Sequence, residues 1–249
     1  MSKKVTRRKR VREHEFEDLN LIFNADYHMS VNIQKEASHS NQHLTDFDAL
    51  TENQNHYLNS IKENTISFGI GCAGTGKSYV AVMYAAQQLK AKNIKKIIIT
   101  RPAVECGEKF GFMPGELDEK YSEYLTPMKS IFDKAFGHNY VELLFKNKII
   151  EARPLAFMRG STFENAVVIL DEAQNVSPQS MLMFLTRIGN NCKVIINGDI
   201  KQSDIRGLSG LDEAVHKLRN VRSVGVTEFT TDDIVRSGIV KDILKAYST

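Results

Sequence analysis

The stretch ISFGIGCAGTGKSYVAVMYAAQQL, Ile66–Leu89, constrains this chain more than any other. An apolar run leads into a glycine-rich turn and then into a second apolar segment with helical spacing. The turn satisfies G-x-x-x-x-G-K-[ST] through Gly71, Gly76, Lys77 and Ser78. Glycines let the backbone turn tightly, so that successive amide N–H groups point inward at phosphate oxygens, and the positive end of the following helix reinforces them. The loop residues Gly71, Cys72, Ala73, Gly74, Thr75, Gly76, Lys77, Ser78 and Tyr79 are therefore candidate nucleotide contacts. Within them Lys77 is suited to the β- and γ-phosphates and Ser78 to Mg²⁺. Cys72 reads as a small filler.

A strand, a phosphate loop and a helix form one βα unit, and the remainder of the chain repeats that alternation. Strands are predicted over 66–70, 95–100, 148–153, 166–171, 193–198 and 222–229. Several are apolar on consecutive positions, as strands buried on both faces are. Helices are predicted over 77–91, 177–188, 210–218 and 232–246, the last from an apolar stripe of Ile234, Val235, Ile239, Ile243 and Leu244. The expected fold is a single α/β domain on a mainly parallel sheet, occupying residues 46–249. Residues 1–45 lack sustained periodicity and are expected to form a basic, flexible N-terminal extension.

Composition narrows the setting. The 249 residues include three cysteines without a CxxC pair, which gives no disulfide framework or zinc knuckle and points to a reducing, cytoplasmic compartment. No apolar run approaches the roughly 20 residues of a membrane helix. Net charge is only +3, but Lys3–Arg12 packs seven basic residues into ten positions. That run is either a solvated tail or an arm that touches nucleic acid. His39 and His43 are four apart and have no third ligand in view.

A phosphate loop on its own only binds. The segment AVVILDEAQN supplies chemistry: an apolar strand ends at Asp171, whose carboxylate is suited to hold Mg²⁺, with Glu172 beside it to orient and deprotonate an attacking water. The segment VIINGDIKQSD places Gly198, Asp199 and Gln202 at the end of the next strand, where a glutamine can bond the γ-phosphate or the water.

With these residues assembled, the chain resembles the PhoH-like family of P-loop ATPases, related to the superfamily 1 helicase core. The resemblance runs from about Asp46 to Tyr247 through GCAGTGKS, Thr100–Met128, Leu155–Asn175, NGDIKQSD and Asp233–Tyr247. It implies a P-loop NTPase (RecA-like) three-layer α/β sandwich with a mainly parallel sheet, ATP and Mg²⁺ as ligands and hydrolysis as the reaction. It further implies that Gln54 pairs with the adenine edge with Tyr57 packed nearby, that Arg101 lies near nucleic acid or nucleotide, and that Arg236 contacts the γ-phosphate. Where the family often has R-G-R-T this chain has Arg159, Gly160, Ser161 and Thr162, and where it often has histidine this chain has Ser237.

The sequence holds one core of this size, so the resemblance implies a homo-oligomeric ring, a hexamer, in which a neighbour supplies an arginine finger. Arg159, Arg206 and Arg236 are the candidates. RNA or single-stranded DNA is the expected partner. A small-acceptor kinase and a non-enzymatic, ATP-dependent assembly switch are the competing readings of the same loop.

Overall fold

Six strands, the central ones carrying buried apolar side chains on both faces, pair into one parallel sheet. In the computed structural model, which describes residues 48–102, 125–205, 207–236 and 238–247, these are β1 (Ile66–Gly71), β2 (Lys96–Thr100), β3 (Ile150–Ala152), β4 (Ala166–Leu170), β5 (Cys192–Gly198) and β6 (Val224–Phe229). Their order is β3-β2-β4-β5-β1-β6. The expected extension over 1–45 and Arg206 lie outside the described residues.

Alternation along each strand builds two cores. Ile97, Ile99, Val167, Ile169 and Ile195 face one side, and Ile98, Ala166, Val168, Leu170, Val194 and Ile196 face the other. The first side is covered by α1 (Glu52–Glu63), α2 (Lys77–Lys90), α3 (Thr126–Phe136) and α4 (His138–Lys146); the second by α5 (Pro178–Leu185) and α6 (Gly210–Leu218). This is the expected three-layer α/β sandwich. Each fully buried aliphatic or aromatic side chain in these layers contributes about 1.5–3 kcal/mol.

Helices α1, α3 and α4 go beyond the sequence expectations. The first is largely polar, with Tyr57, Leu58 and Ile61 as its buried apolar residues, so its periodic signal is thin. Its start signal is nevertheless present, because the Thr51 hydroxyl accepts from the Gln54 N–H at 3.2 Å. Its last turn is closed by Lys193 on β5, whose ammonium donates to the carbonyls of Ile61, Lys62 and Asn64 at 2.9, 2.9 and 2.7 Å.

The helix expected over 232–246 is a correction. A short 3₁₀ turn at Thr231–Asp233 gives way to extended backbone at Ile234, and α7 (Gly238–Tyr247) begins only afterwards. The cause is a competing partner: the Val235 N–H donates to the Gly74 carbonyl at 3.0 Å, so this segment bonds to the glycine-rich loop instead of continuing the helix. The Asp233 carboxylate anchors it to α1, accepting from Asn53 Nδ2 and the Thr230 N–H, each at 2.8 Å. Burial works to raise its pKa, and these bonds outweigh it, holding the carboxyl below its ordinary range.

Beneath the loop, the Tyr57 ring crosses β1 at Gly69. Its hydroxyl donates to Asn197 Oδ1 on β5, and the ring meets Phe229 edge-on at 5.5 Å. A methyl group on Gly69 would lie 2.7 Å from Tyr57 Cζ and 2.9 Å from Asn197 Oδ1. Gly69→Ala is therefore expected to unseat the tyrosine and lower stability by about 1–3 kcal/mol in urea unfolding. An unchanged midpoint would show that this seat does not matter.

Candidate functional site

The carboxyl ends of β1, β2, β4 and β5 open onto one cleft of about 270 Å³, lined by Gly74, Lys77, Ser78, Arg101, Asp171, Glu172, Asp199, Gln202 and Arg236 among others. Crevices at the carboxyl edge of a parallel sheet are where such folds bind ligands.

The loop forms because Gly76 adopts φ 85°, a left-handed conformation that closes the turn and delivers Lys77 as the first residue of α2. The Lys77 ammonium is turned back over the loop, donating to the carbonyls of Gly71 and Cys72 at 2.6 and 2.7 Å and to Thr75 Oγ1 at 3.3 Å. Burial lowers its pKa, while Asp199 and other nearby charges work to raise it. Three loop oxygens thus hold a cation at the N-terminus of α2, an arrangement complementary to a polyphosphate. Ala73, Gly74, Gly76 and Tyr79 line the same cleft. Thr75 is buried beneath it and donates to the Cys72 carbonyl at 3.1 Å. Burial pushes the Cys72 thiol up, keeping it protonated.

Opposite the lysine, Ser78 Oγ donates to Asp171 Oδ1 at 2.8 Å, joining residues 93 apart in the chain. A hydroxyl and a carboxylate in contact are hard oxygen donors of the kind Mg²⁺ takes. Desolvation raises the pKa of Asp171, and Arg101 works against that. One Arg101 Nη reaches Glu172 Oε1 at 3.0 Å and Asp171 Oδ2 at 3.4 Å, so it spans both acids. Glu172 itself sits at φ 54°, ψ 38°. That left-handed step, strained for a residue with a side chain, breaks the strand direction immediately after Asp171.

The remaining expected residues divide into two groups. Gln202, on the turn Ile200–Gln202, and Arg236 both line the cleft. The Arg236 stem lies against Gly74, about where a side chain on that glycine would be. Gln54, Tyr57 and Arg159 are not among its lining residues. Gln54 is only 1% exposed. Its amide donates to the Thr75 carbonyl at 2.9 Å and accepts from the Leu50 N–H at 2.8 Å. Both ends are occupied, the nitrogen in bracing the phosphate loop from behind and the oxygen in holding the chain that leads into α1. Tyr57 is fully buried, and Arg159 is exposed at the end of the turn Leu155–Met158.

Three contributors were not anticipated from sequence. Pro127, Met128 and Ile131 of α3 supply an apolar wall. Gln174 bonds Glu172 Oε2 at 2.7 Å. Asn53, which ties α1 to Asp233, completes the clasp around the loop. Proline at the first turn of α3 and Gly137 at its end were the readable signals for the wall. Gln174 and Asn53 had none beyond being polar.

Ser78→Ala tests the paired oxygens. Its expected outcome is a rightward shift of about tenfold or more in the Mg²⁺ concentration needed for nucleotide binding, on the scale of a lost charge-assisted contact. An identical Mg²⁺ titration would remove Ser78 from the site.

Comparison with known proteins gives the family. A family model described as PhoH-like protein matches residues 46–248. The chain is 47% identical over 199 residues to a PhoH-like protein of Bacillus subtilis, covering 79% of this chain and 62% of that protein. It is 43% identical over 204 residues to protein PhoH of Escherichia coli K12, covering 80% and 58%. The matched region therefore spans about three fifths of these curated relatives. Among solved structures, it is similar to a SWI2/SNF2 ATPase core of Sulfolobus solfataricus in complex with dsDNA, at 14% identity and TM-score 0.42, covering 80% of this chain and 45% of that one. A likeness that low leaves the assignment to the sequence relatives. On the family match and the two close relatives, the chain belongs to the PhoH-like protein family.

Proposed function

We propose that this core binds ATP with Mg²⁺ and hydrolyses it, that it works as a homo-oligomer, and that turnover is coupled to RNA or single-stranded DNA. The observation carrying the hydrolytic part is the contact between Ser78 and Asp171, which gathers Lys77, Glu172, Gln202 and Arg236 around one cleft. Ser78 and Asp171 would hold the metal, which when bound supplies positive charge to the phosphate oxygens.

The chain's own residues do the rest. Lys77 transfers donors from the loop carbonyls to the phosphates, and the loop amides fix the chain of phosphoryl groups in line. Glu172 orients a water and takes its proton. Gln202 bonds the γ-phosphate or that water, and Arg236 offsets charge developing on the phosphoryl oxygens. A kinase would need an acceptor in place of the water, and the acid pair beside the loop favours water.

Support for the oligomer is the family resemblance, with Arg159 exposed and therefore available to a neighbouring subunit. Support for a nucleic-acid partner is the basic run Lys3–Arg12 together with Arg101 at the cleft. Among the described residues no helix is long and apolar enough to cross a membrane.

The deciding experiment is phosphate release from MgATP by protein of known mass from light scattering, with and without RNA or single-stranded DNA. Turnover without any small acceptor, accelerated by a strand, is the expected result. Tight binding without turnover would make it a switch, and turnover only with an acceptor would make it a kinase. Removing residues 2–12 is expected to weaken strand binding and to flatten its salt dependence by about 0.7 in log–log slope per lost phosphate contact. An unaltered slope would leave the run as a solvated tail.

A further inference from the structure

Gln174 lies two residues beyond the candidate water-activating acid, is 3% exposed, and bonds both that acid and the segment that follows β5. Its amide nitrogen donates to Glu172 Oε2 at 2.7 Å. Its amide oxygen accepts the Asp199 N–H at 3.1 Å, at the start of the turn that carries Gln202. Its main-chain carbonyl accepts from Ser203 Oγ at 3.0 Å and Ser209 Oγ at 2.8 Å. Asn175 next to it holds the same loop, exchanging two bonds with Asp204 at 2.8 and 3.1 Å.

Asp199, Ser203, Asp204 and Ser209 are thus all hung from Gln174 and Asn175. At its far end Ser209 caps α6, accepting from the Leu211 N–H, and Leu208 stands 57% exposed beside it. At the near end, Glu172 has one carboxylate oxygen on Arg101 and the other on Gln174. A displacement of that carboxylate toward a bound water or phosphate pulls on the Gln174 amide nitrogen, and through the same rigid amide on the Asp199 N–H.

We propose that Gln174 is a positioning residue that links the state of Glu172 to the Asp199–Ser209 loop, so that occupation of the phosphate site is transmitted to the surface around Leu208. This rests on the nucleotide-binding reading above. Burial alone would be satisfied by any well-bonded amide. The linkage needs one that joins the acid to the loop.

The chain contains no tryptophan, so a single reporter is clean. In Leu208→Trp protein, Mg²⁺ with the non-hydrolysable analogue AMP-PNP is expected to shift the emission, while calorimetry gives the affinity separately. Adding Gln174→Met, which keeps length but removes the amide's oxygen and nitrogen, is expected to abolish the shift with affinity changed less than about threefold. It should also lower kcat about tenfold with KM nearly unchanged, the pattern of a contact realised only in the transition state. Combined with Glu172→Gln, it should add little further loss, because it acts through that acid.

A full emission shift in folded Gln174→Met protein overturns the linkage, as does an unchanged kcat. Should that variant lose its thermal transition, Gln174→Asn keeps an amide but is one methylene too short to reach both Glu172 and the Asp199 N–H. It is expected to diminish the shift at least twofold, on the scale of one hydrogen bond, and a full shift there overturns the linkage equally. If AMP-PNP binds unaltered protein without any shift, the linkage fails and nucleotide binding stands. If calorimetry detects no binding at all, the nucleotide reading fails and the linkage with it.

Discussion

Lys77→Ala protein is expected to fold, to bind ATP at least about tenfold more weakly, and to lose turnover by about 10²–10³-fold, the range for removing one preorganised donor from a developing charge. The stability side follows from its surroundings. Lys77 as a residue is 9% exposed, and burial lowers its pKa, so the resting site carries the cost of a partly desolvated cation. That cost is offset by the carbonyls of Gly71 and Cys72 and by Thr75 Oγ1. Truncation removes the charge and its desolvation together and leaves acceptors next to a cleft that water can enter, so the unfolding midpoint should move little. The functional side does not have that compensation, because no other described lysine lines the cleft. Arg101 is engaged with Asp171 and Glu172, and Arg236 approaches from the Gly74 side. Lys77→Met should behave as the alanine variant does, which separates charge from packing of the stem. Equilibrium binding of ATP and steady-state phosphate release measure both quantities. Retained affinity and turnover in either variant would mean that the loop does not cradle phosphate.

How far this site could be read from residues alone depends on how local each feature is. The phosphate loop was legible because Gly71, Gly76, Lys77 and Ser78 are contiguous between a strand and a helix. Asp171 and Glu172 were legible because five successive buried residues, Ala166–Leu170, end at them. The strands were legible for the same reason: faces apolar on both sides leave continuous runs. Their order was not, since nothing in AVVIL says that β5 lies between β4 and β1. Contacts that depend on this order were correspondingly hidden. The bond from Arg101 to Glu172 spans 71 residues and exists because β2 and β4 are neighbours, with Thr100 in register with Leu170. The brace from Gln54 to Thr75 depends on α1 packing behind β1, and α1 is too polar for its period to stand out. Segment 234–236 misled a periodic reading for a similar reason. Its apolar residues have helical spacing, but its backbone finds a partner in Gly74, and a hydrogen bond to another part of the chain leaves no mark in spacing.

Glu172→Gln should separate binding from chemistry. Glutamine matches glutamate in length and shape, so it can keep one oxygen toward Arg101, and the Ser78–Asp171 pair is untouched. MgATP affinity should therefore stay within about threefold, a difference under 1 kcal/mol. Turnover should fall by about 10²–10⁴-fold, the range for removing a positioned general base, equivalent to about 3–5 kcal/mol of barrier. The strained φ of 54° at this position is set by the backbone and is shared by both residues, so the substitution tests the carboxylate and not the turn. The Gln174 amide would then face either an amide oxygen or an amide nitrogen, and only the first is a favourable partner. Arg101 selects the opposite choice for the other atom, so one of two bonds must weaken, and a fall of up to about 1–3 kcal/mol in unfolding free energy is expected with it. Single-turnover measurements decide the outcome. Nucleotide that binds normally and is cleaved slowly places Glu172 at the attacking water. Equal loss of affinity and rate would make it a binding residue, and unchanged turnover would require another base, leaving Asp171 with Ser78 as a metal site in a protein that activates water elsewhere.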